Sequence, residues 1–377
     1  MTYAAITGWG KCLPPAVLSN DDLATFLDTD DVWITSRTGM KERRISHLPA
    51  VELSYVAARR ALACAGLAPT DIDLIVYGSC SYDEMVPNTA SGLQYKLGAT
   101  GAAAMDVNTA CTSFLYSWST ANAMIRTGVV RRALVIGVEL ISRYLDWEDR
   151  AVAVLFGDGA AAIVIEATEE RTGLLAESLG CFGEARGILR IGGYGATYAN
   201  VGVPFGDMAW TFDGPQIFKK AVLGMSDHSA KALAKVGVTP EQIDLVVPHQ
   251  ANGRIIESVA KHAGIPMSKV KMTVHKYGNM SAATVPVAMV EALEENQLKP
   301  HAKLLMPAFG GGLTVCSHYA EWGERVTPKD VCDVELAPCD KTALQLVNEI
   351  RAAKTLDRSR AAIESAYCVD RKPWGTQ

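Results

Sequence analysis

The strongest constraint on how this chain folds is that it repeats itself. Ile72-Asp73-Leu74-Ile75-Val76 returns as Ile243-Asp244-Leu245-Val246-Val247, a shift of 171. Met105-Asp106-Val107 returns loosely as Met272-Thr273-Val274, a shift of 167, and Ala133 to Ile136 returns as Ala302 to Leu305, a shift of 169. Chance similarity between hydrophobic strands explains one such match. Three in the same order at nearly one offset predict a duplicated fold whose halves meet near residue 170.

Within the first half, strand patterns at Ala4–Gly8, Ile72–Gly78, Ala103–Val107 and Ala133–Val138 alternate with helical patterns near Val51–Ala65, Asn88–Leu97 and Thr112–Thr127. Such alternation predicts a layered α/β fold with a largely parallel sheet. Val152–Gly159 and Ala160–Glu166 read as two strands joined by a tight turn at Phe156-Gly157-Asp158-Gly159. The division is then 1–170 and 171–322 for the two halves. A C-terminal extension, 323–377, carries a weakly apolar helical face at Leu344, Val347, Ile350, Ala361 and Ile363.

A duplicated parallel sheet collects ligands at the carboxyl ends of its strands. Cys111 follows the Ala103–Val107 strand, His249 follows Ile243–Val247, and Asn279 follows the strand matching that of Cys111. The turn Phe309-Gly310-Gly311-Gly312 follows Leu304-Leu305. Each is ordinary alone: a packed thiol, a strand-end histidine, a turn asparagine, a tight glycine turn. Their matching topological positions bring them to one site. Cys111 also stands at a predicted helix start, where the dipole favours a thiolate. An acyl group on that sulfur would have the N–H groups of Cys111 and Gly311 as oxyanion donors. His249 and Asn279, as two neutral N–H donors, suit stabilisation of an enolate, and His249 can also help keep Cys111 ionised or relay its proton. Trp33 and Arg37 lie four apart on a helical turn, either a surface aromatic with a covering Arg or a platform for a flat heteroaromatic ring with phosphates nearby.

Composition excludes other classes. A net charge of −5 disfavours a nucleic-acid binder. No uncharged apolar run approaches the roughly 20 residues that span a membrane, and no secretory leader is evident. Nine cysteines in no zinc-like spacing fit a reducing cytoplasm, with no metal and no cofactor expected.

From about residue 4 to residue 321 the sequence resembles the β-ketoacyl-acyl carrier protein synthase III family, on the thiolase fold. The motifs carrying the resemblance are Asp28–Ile34 with Arg37-Thr38-Gly39, the Cys111 segment, Phe156–Ala160, Pro248–Ile256, Tyr277–Ala283 and Ala308–Gly312. The resemblance implies a thiolase-like duplicated αβαβα layered fold and a homodimer. It also implies condensation of an acyl-CoA with malonyl-acyl carrier protein through Cys111, His249 and Asn279. It places the CoA adenine between Trp33 and Arg150 with Arg37 near the phosphates, and Asn252 and Phe309 along the pantetheine path. It puts a carrier-protein patch at Lys219, Lys220, Arg254 and Lys261.

The sequence departs from the family pattern at several points. Val86 stands where a Phe often closes the neighbouring subunit's acyl pocket, implying room for longer primers. Pro215 replaces a polar residue beside the pantetheine path, Tyr277 replaces a common His, and the extension passes the usual end. Degradative thiolases carry a second catalytic Cys where this chain has Phe309. The remaining rivals are acyl transfer to an oxygen or nitrogen acceptor, and a non-catalytic heterodimer subunit. Retained Asn279 argues against the first, and retained Cys111 and His249 against the second.

Overall fold

The computed structural model describes residues 1–199, 206 and 208–353. In chain order the strands are β1 (Tyr3–Cys12), β2 (Ala16–Ser19), β3 (Glu42–Ile45), β4 (Leu74–Gly78), β5 (Ala103–Val107), β6 (Arg132–Leu140), β7 (Asp158–Thr168), β8 (Gly173–Cys181), β9 (Leu189–Gly192), β10 (Ala209–Phe212), β11 (Leu245–Val246), β12 (Lys303–Gly310) and β13 (Thr314–Glu321). The helices are α1 (Asn20–Ala24), α2 (Asp31–Thr38), α3 (Ala50–Ala65), α4 (Thr89–Leu97), α5 (Ser113–Arg126), α6 (Arg150–Ala153), α7 (Gly214–Ala234), α8 (Gly253–His262), α9 (Val274–Tyr277), α10 (Thr284–Glu294) and α11 (Ala343–Ala353).

Nine strands form one sheet in the order β11-β12-β13-β8-β1-β7-β6-β4-β5. Read outward from the centre, β1-β7-β6-β4-β5 is answered by β8-β13-β12-β11, with the same sequence of antiparallel and parallel pairings. The two sets join through one parallel pair, Ala4 and Gly173.

The strands are apolar on both faces because both faces are covered. Along β4, Leu74 and Val76 face one cluster, and Ile75 and Tyr77 the other. Alternation of side chains along a strand demands this wherever helices lie on both sides. The first cluster holds Phe114, Trp118 and Ile125 of α5 with Val285, Met289 and Leu293 of α10, so these two helices share a central layer. The second holds the inward faces of α3 and α4.

Two local expectations fail. Residues 152–166 do not form a hairpin. Asp149 caps α6 by accepting from the Ala151 N–H at 2.8 Å, and β7 then runs unbroken. Gly157 is needed for close approach rather than for a turn: a Cβ there would lie 2.7 Å from the Tyr277 carbonyl oxygen. Met272–Val274 is not a strand either. The chain touches β11 only through the Val246–Val270 bridge. The Gln250 side-chain oxygen then takes the N–H groups of Thr273 and Val274, at 2.8 and 3.1 Å, and α9 begins.

Beyond β13 the chain crosses the outer side of α3. The Lys329 N–H donates to the Cys64 carbonyl at 3.0 Å, and Arg60 donates to the Val334 carbonyl at 3.1 Å. It then enters α11, where Ala343, Leu346 and Val347 are buried and the helix rests against β2 and β3. Ala361 and Ile363 lie outside the described residues.

Candidate active site

Cys111 sits in a single 3-10 turn, Ala110–Thr112, between β5 and α5. Ala110 adopts the left-handed region, φ 51°, which a non-glycine residue enters only when its surroundings enforce it. Here Thr109 and Ser113 clamp the turn: the Thr109 N–H donates to Ser113 Oγ at 2.9 Å, and Ser113 Oγ donates to the Ala110 carbonyl at 2.7 Å. The glycine turn after β12 closes on it. A Cβ at Gly310 would lie 2.8 Å from the Cys111 nitrogen, so only glycine permits this approach. The backbone N–H groups of Cys111 and Gly311 both reach the Cys111 sulfur.

The expectation of a thiolate does not hold. Burial pushes the Cys111 thiol up to about 11, and the neighbouring Glu139 adds to the rise against hydrogen bonds from Ser281 and the two backbone N–H groups. Desolvation outweighs the helix dipole because the sulfur lies ahead of the first turn of α5, in an enclosed site. Burial also depresses His249, to about 3, so its imidazole is neutral. At neutral pH the resting pair is a thiol and an imidazole.

The hydrogen-bond network assigns the tautomer and the amide orientation. Thr284 Oγ1 donates to the Ser281 carbonyl at 2.9 Å and lies 2.6 Å from His249 Nδ1. One hydroxyl proton cannot serve both contacts, so Nδ1 carries the proton and Nε2 the lone pair. The expected second N–H donor is therefore a base in the resting site. Asn279 Oδ1 accepts from the Ser281 N–H at 2.8 Å, which leaves the Asn279 NH2 as a donor.

Cys111, His249 and Asn279 line one 710 Å³ cavity together with Trp33, Arg37, Arg150, Asn252, Arg254 and Phe309. Trp33 lies under two guanidinium groups, Arg37 at 4.7 Å and Arg150 at 4.5 Å from the ring centroid. The Asn252 amide is already engaged: it caps α8 at the Arg254 N–H (2.9 Å) and donates to the Arg37 carbonyl (3.1 Å). A second cavity of 330 Å³ extends from Cys111 past Cys80, Ile141, Tyr144 and Trp210. Pro215, at the start of α7, lines the first cavity.

Sequence reasoning missed Glu139. Its side chain is buried at the end of β6 and accepts from Ser81 Oγ (2.5 Å), Cys80 N–H (3.0 Å) and Ser281 Oγ (3.2 Å). Burial raises its carboxyl to about 7 against these donors. A carboxylate inside the apolar run Val135–Leu140 was the available signal. Ser281, which bridges Glu139 to the Cys111 thiol, carried none.

Comparison with known proteins bears on the same residues. The family description 3-oxoacyl-[acyl-carrier-protein] synthase III matches residues 105–183, and its C-terminal counterpart matches residues 233–322. The β-ketoacyl-[acyl-carrier-protein] synthase III 2 of Vibrio cholerae is 50% identical over 347 residues, 92% of this chain and 96% of that protein. The chain belongs to the 3-oxoacyl-[acyl-carrier-protein] synthase III family. The Neisseria gonorrhoeae synthase III is 45% identical over 315 residues, 83% of this chain and 97% of its own length. The crystal structure of the Pseudomonas aeruginosa PAO1 synthase III superposes with TM-score 0.80 at 36% identity, covering 88% of this chain and 100% of that one. The fold is thus that of the thiolase-like synthases. The Vibrio match is longer than residues 1–322, so it includes part of the extension.

Several family features stand differently here. Val86 is 83% exposed and lines neither of these two cavities. Tyr277 is held by a hydrogen bond to Glu291, itself bridged to Lys11 and Lys276. Lys219 on α7 and Arg254 and Lys261 on α8 are exposed, and of the three Arg254 lines the cavity. Lys220 instead pairs with Glu184 at 3.3 Å and lies over the Phe182 ring.

Proposed function

We propose that Cys111 takes an acyl group from acyl-CoA, and that the acyl-enzyme condenses with malonyl-acyl carrier protein to give a β-ketoacyl product. The observation carrying this reading is the convergence of Cys111, His249 and Asn279 on one cavity that also holds the Trp33, Arg37 and Arg150 cluster.

In loading, Cys111 passes its proton to His249 Nε2 as the sulfur attacks the thioester carbonyl. The Cys111 and Gly311 N–H groups hold the oxyanion, and removing one such donor typically costs on the order of 10²–10³ in rate. The CoA sulfur leaves with the proton from His249. In condensation, loss of CO2 from the malonyl thioester leaves an enolate. The Asn279 NH2 is one donor to its oxygen. His249 becomes the second by exchange with solvent: it loses the Nδ1 proton and takes one up at Nε2, and the Thr284 hydroxyl turns to donate to the bare Nδ1. The enolate carbon then attacks the acyl-Cys111 carbonyl, the Cys111 sulfur leaves, and it takes up one proton from solvent to restore the resting thiol.

The adenine of CoA would enter between Trp33 and Arg150 by displacing the Arg150 guanidinium from its direct contact with the ring, with Arg37 toward its phosphates. Asn252 and Phe309 would line the pantetheine path, and the 330 Å³ cavity would take the acyl chain. Exposed Lys219, Arg254 and Lys261 favour an acidic carrier protein at the mouth, with Lys220 contributing when it leaves Glu184. A homodimer fits the open edge at β5 and the exposed apolar side chains of Met85, Val86 and Tyr95. In that dimer Val86 would close the partner's acyl cavity. A free-thiol nucleophile suits a reducing cytoplasm.

Intact-mass measurement tests this directly. A panel of acyl-CoAs should leave a covalent adduct on the enzyme, and malonyl-carrier should discharge it as a β-ketoacyl product. An adduct on Cys111→Ala, or discharge without loss of CO2, would defeat the proposal.

A further inference from the structure

The extension returns to the candidate site from behind. α2, with eight residues, presents Trp33 and Arg37 to the cavity, and α6, with four, presents Arg150. Helices this short do not persist by themselves and take their positions from what they pack on. Both are seated on one apolar cluster, through Ile34 and Val152, and α11 closes that cluster with Leu346 and Val347.

The polar contacts complete a ring. The Arg351 guanidinium lies over Phe26 at 4.5 Å and donates from Nε to Glu148 at 2.9 Å. Phe26 lies two residues before Asp28, and Glu148 two residues before Arg150. Arg150 in turn donates to the Asp28 carbonyl. One side chain of the extension therefore ties together the two segments that set the separation of Trp33 and Arg150.

We propose that Arg351 is a positioning residue: through α11 it holds the segments that carry Trp33 and Arg150 facing each other, so that the two side chains, in contact at 4.5 Å, part to take the nucleotide end of acyl-CoA between them. This rests on the reading of Trp33 and Arg150 as a nucleotide clamp. The extension thereby acts on substrate affinity and leaves the chemistry at Cys111 alone.

The test compares acyl-CoA with the matching acyl-pantetheine, which lacks the nucleotide, in full-length enzyme. Arg351→Ala should raise KM for acyl-CoA about tenfold, the combined scale of one cation–π contact and one partly exposed ion pair. It should leave kcat, and both constants for acyl-pantetheine, unchanged. Arg351→Lys should fall between, because lysine keeps the charge but not the planar stack. Glu148→Gln cuts the same contact from its exposed partner and should shift KM in the same direction. An unchanged acyl-CoA KM in both Arg351→Ala and Glu148→Gln overturns the proposal. Equal losses with both thioesters also overturn it, since they indicate general destabilisation. Trp33→Ala separates this from the underlying reading. If that variant leaves the ratio of the two KM values unchanged, the clamp itself is wrong. If it raises the ratio while Arg351→Ala does not, only the role of the extension fails.

Discussion

His249 Nδ1 and Thr284 Oγ1 stand 2.6 Å apart in a buried site, and the hydroxyl also reaches the Ser281 carbonyl at 2.9 Å. A hydroxyl can accept from the ring in one step and donate to it in another. Thr284→Val removes both options while keeping the shape. Both half-reactions should slow, by about 10²-fold on the usual scale for losing an oriented acid–base group. Thr284→Ser should recover most of the rate. Full activity in the valine variant, by acyl loading and 14CO2 release, would show that the tautomer is set elsewhere.

The raised thiol of Cys111 makes a second prediction. Alkylation by iodoacetamide needs the thiolate, so its rate should climb about tenfold per pH unit from pH 7 to 10 without levelling. Acyl loading should stay nearly flat over that range, because the thiol and the neutral imidazole are already the reactive pair. An alkylation plateau near pH 7 would mean that the thiolate is stabilised after all.

Glu139 gives a stability test with a defined sign. Its carboxyl is raised from 4.5 to about 7 by burial, so the folded protein holds this proton more tightly than the unfolded chain. That contribution is fully present below pH 4.5 and is lost as pH rises through about 7. Glu139→Gln mimics the neutral form and should flatten this decline. Melting temperatures measured from pH 5 to 8 would reveal it, and parallel curves for the two proteins would reject it.

Val86 bears on primer choice. Wild type should load medium-chain acyl-CoAs better than acetyl-CoA, and Val86→Phe should shift the preference toward short chains. A loading panel read by intact mass decides this. Acetyl preference in the wild type, or no shift in the variant, would remove Val86 from the specificity argument.

Much of this architecture was legible in the chain. The Cys111 segment resolved into β5 and α5 because an apolar alternation gives way there to a helical period. His249, Asn279 and the glycine turn were found through duplication, which converts sequence offset into spatial position. The failures have separate physical causes. The Gln250 side chain ended a strand at Thr273, Asp149 started a helix where a hairpin was expected, and burial reversed the direction expected for the Cys111 thiol. Glu139 and Ser281 touch across 142 residues. Such contacts leave no local period to read.

The oxyanion donors come from opposite halves of the chain: one N–H is at Cys111, the other at Gly311, two hundred residues later. A ribosome adding about 5–20 residues per second needs roughly 10–40 s to cover that interval. Throughout it the nascent chain carries its thiol without the glycine turn, while His249 and Asn279 follow Cys111 by 138 and 168 residues. Competence for acylation therefore arrives late in synthesis and all at once, when β12 docks and Gly310 closes on Cys111.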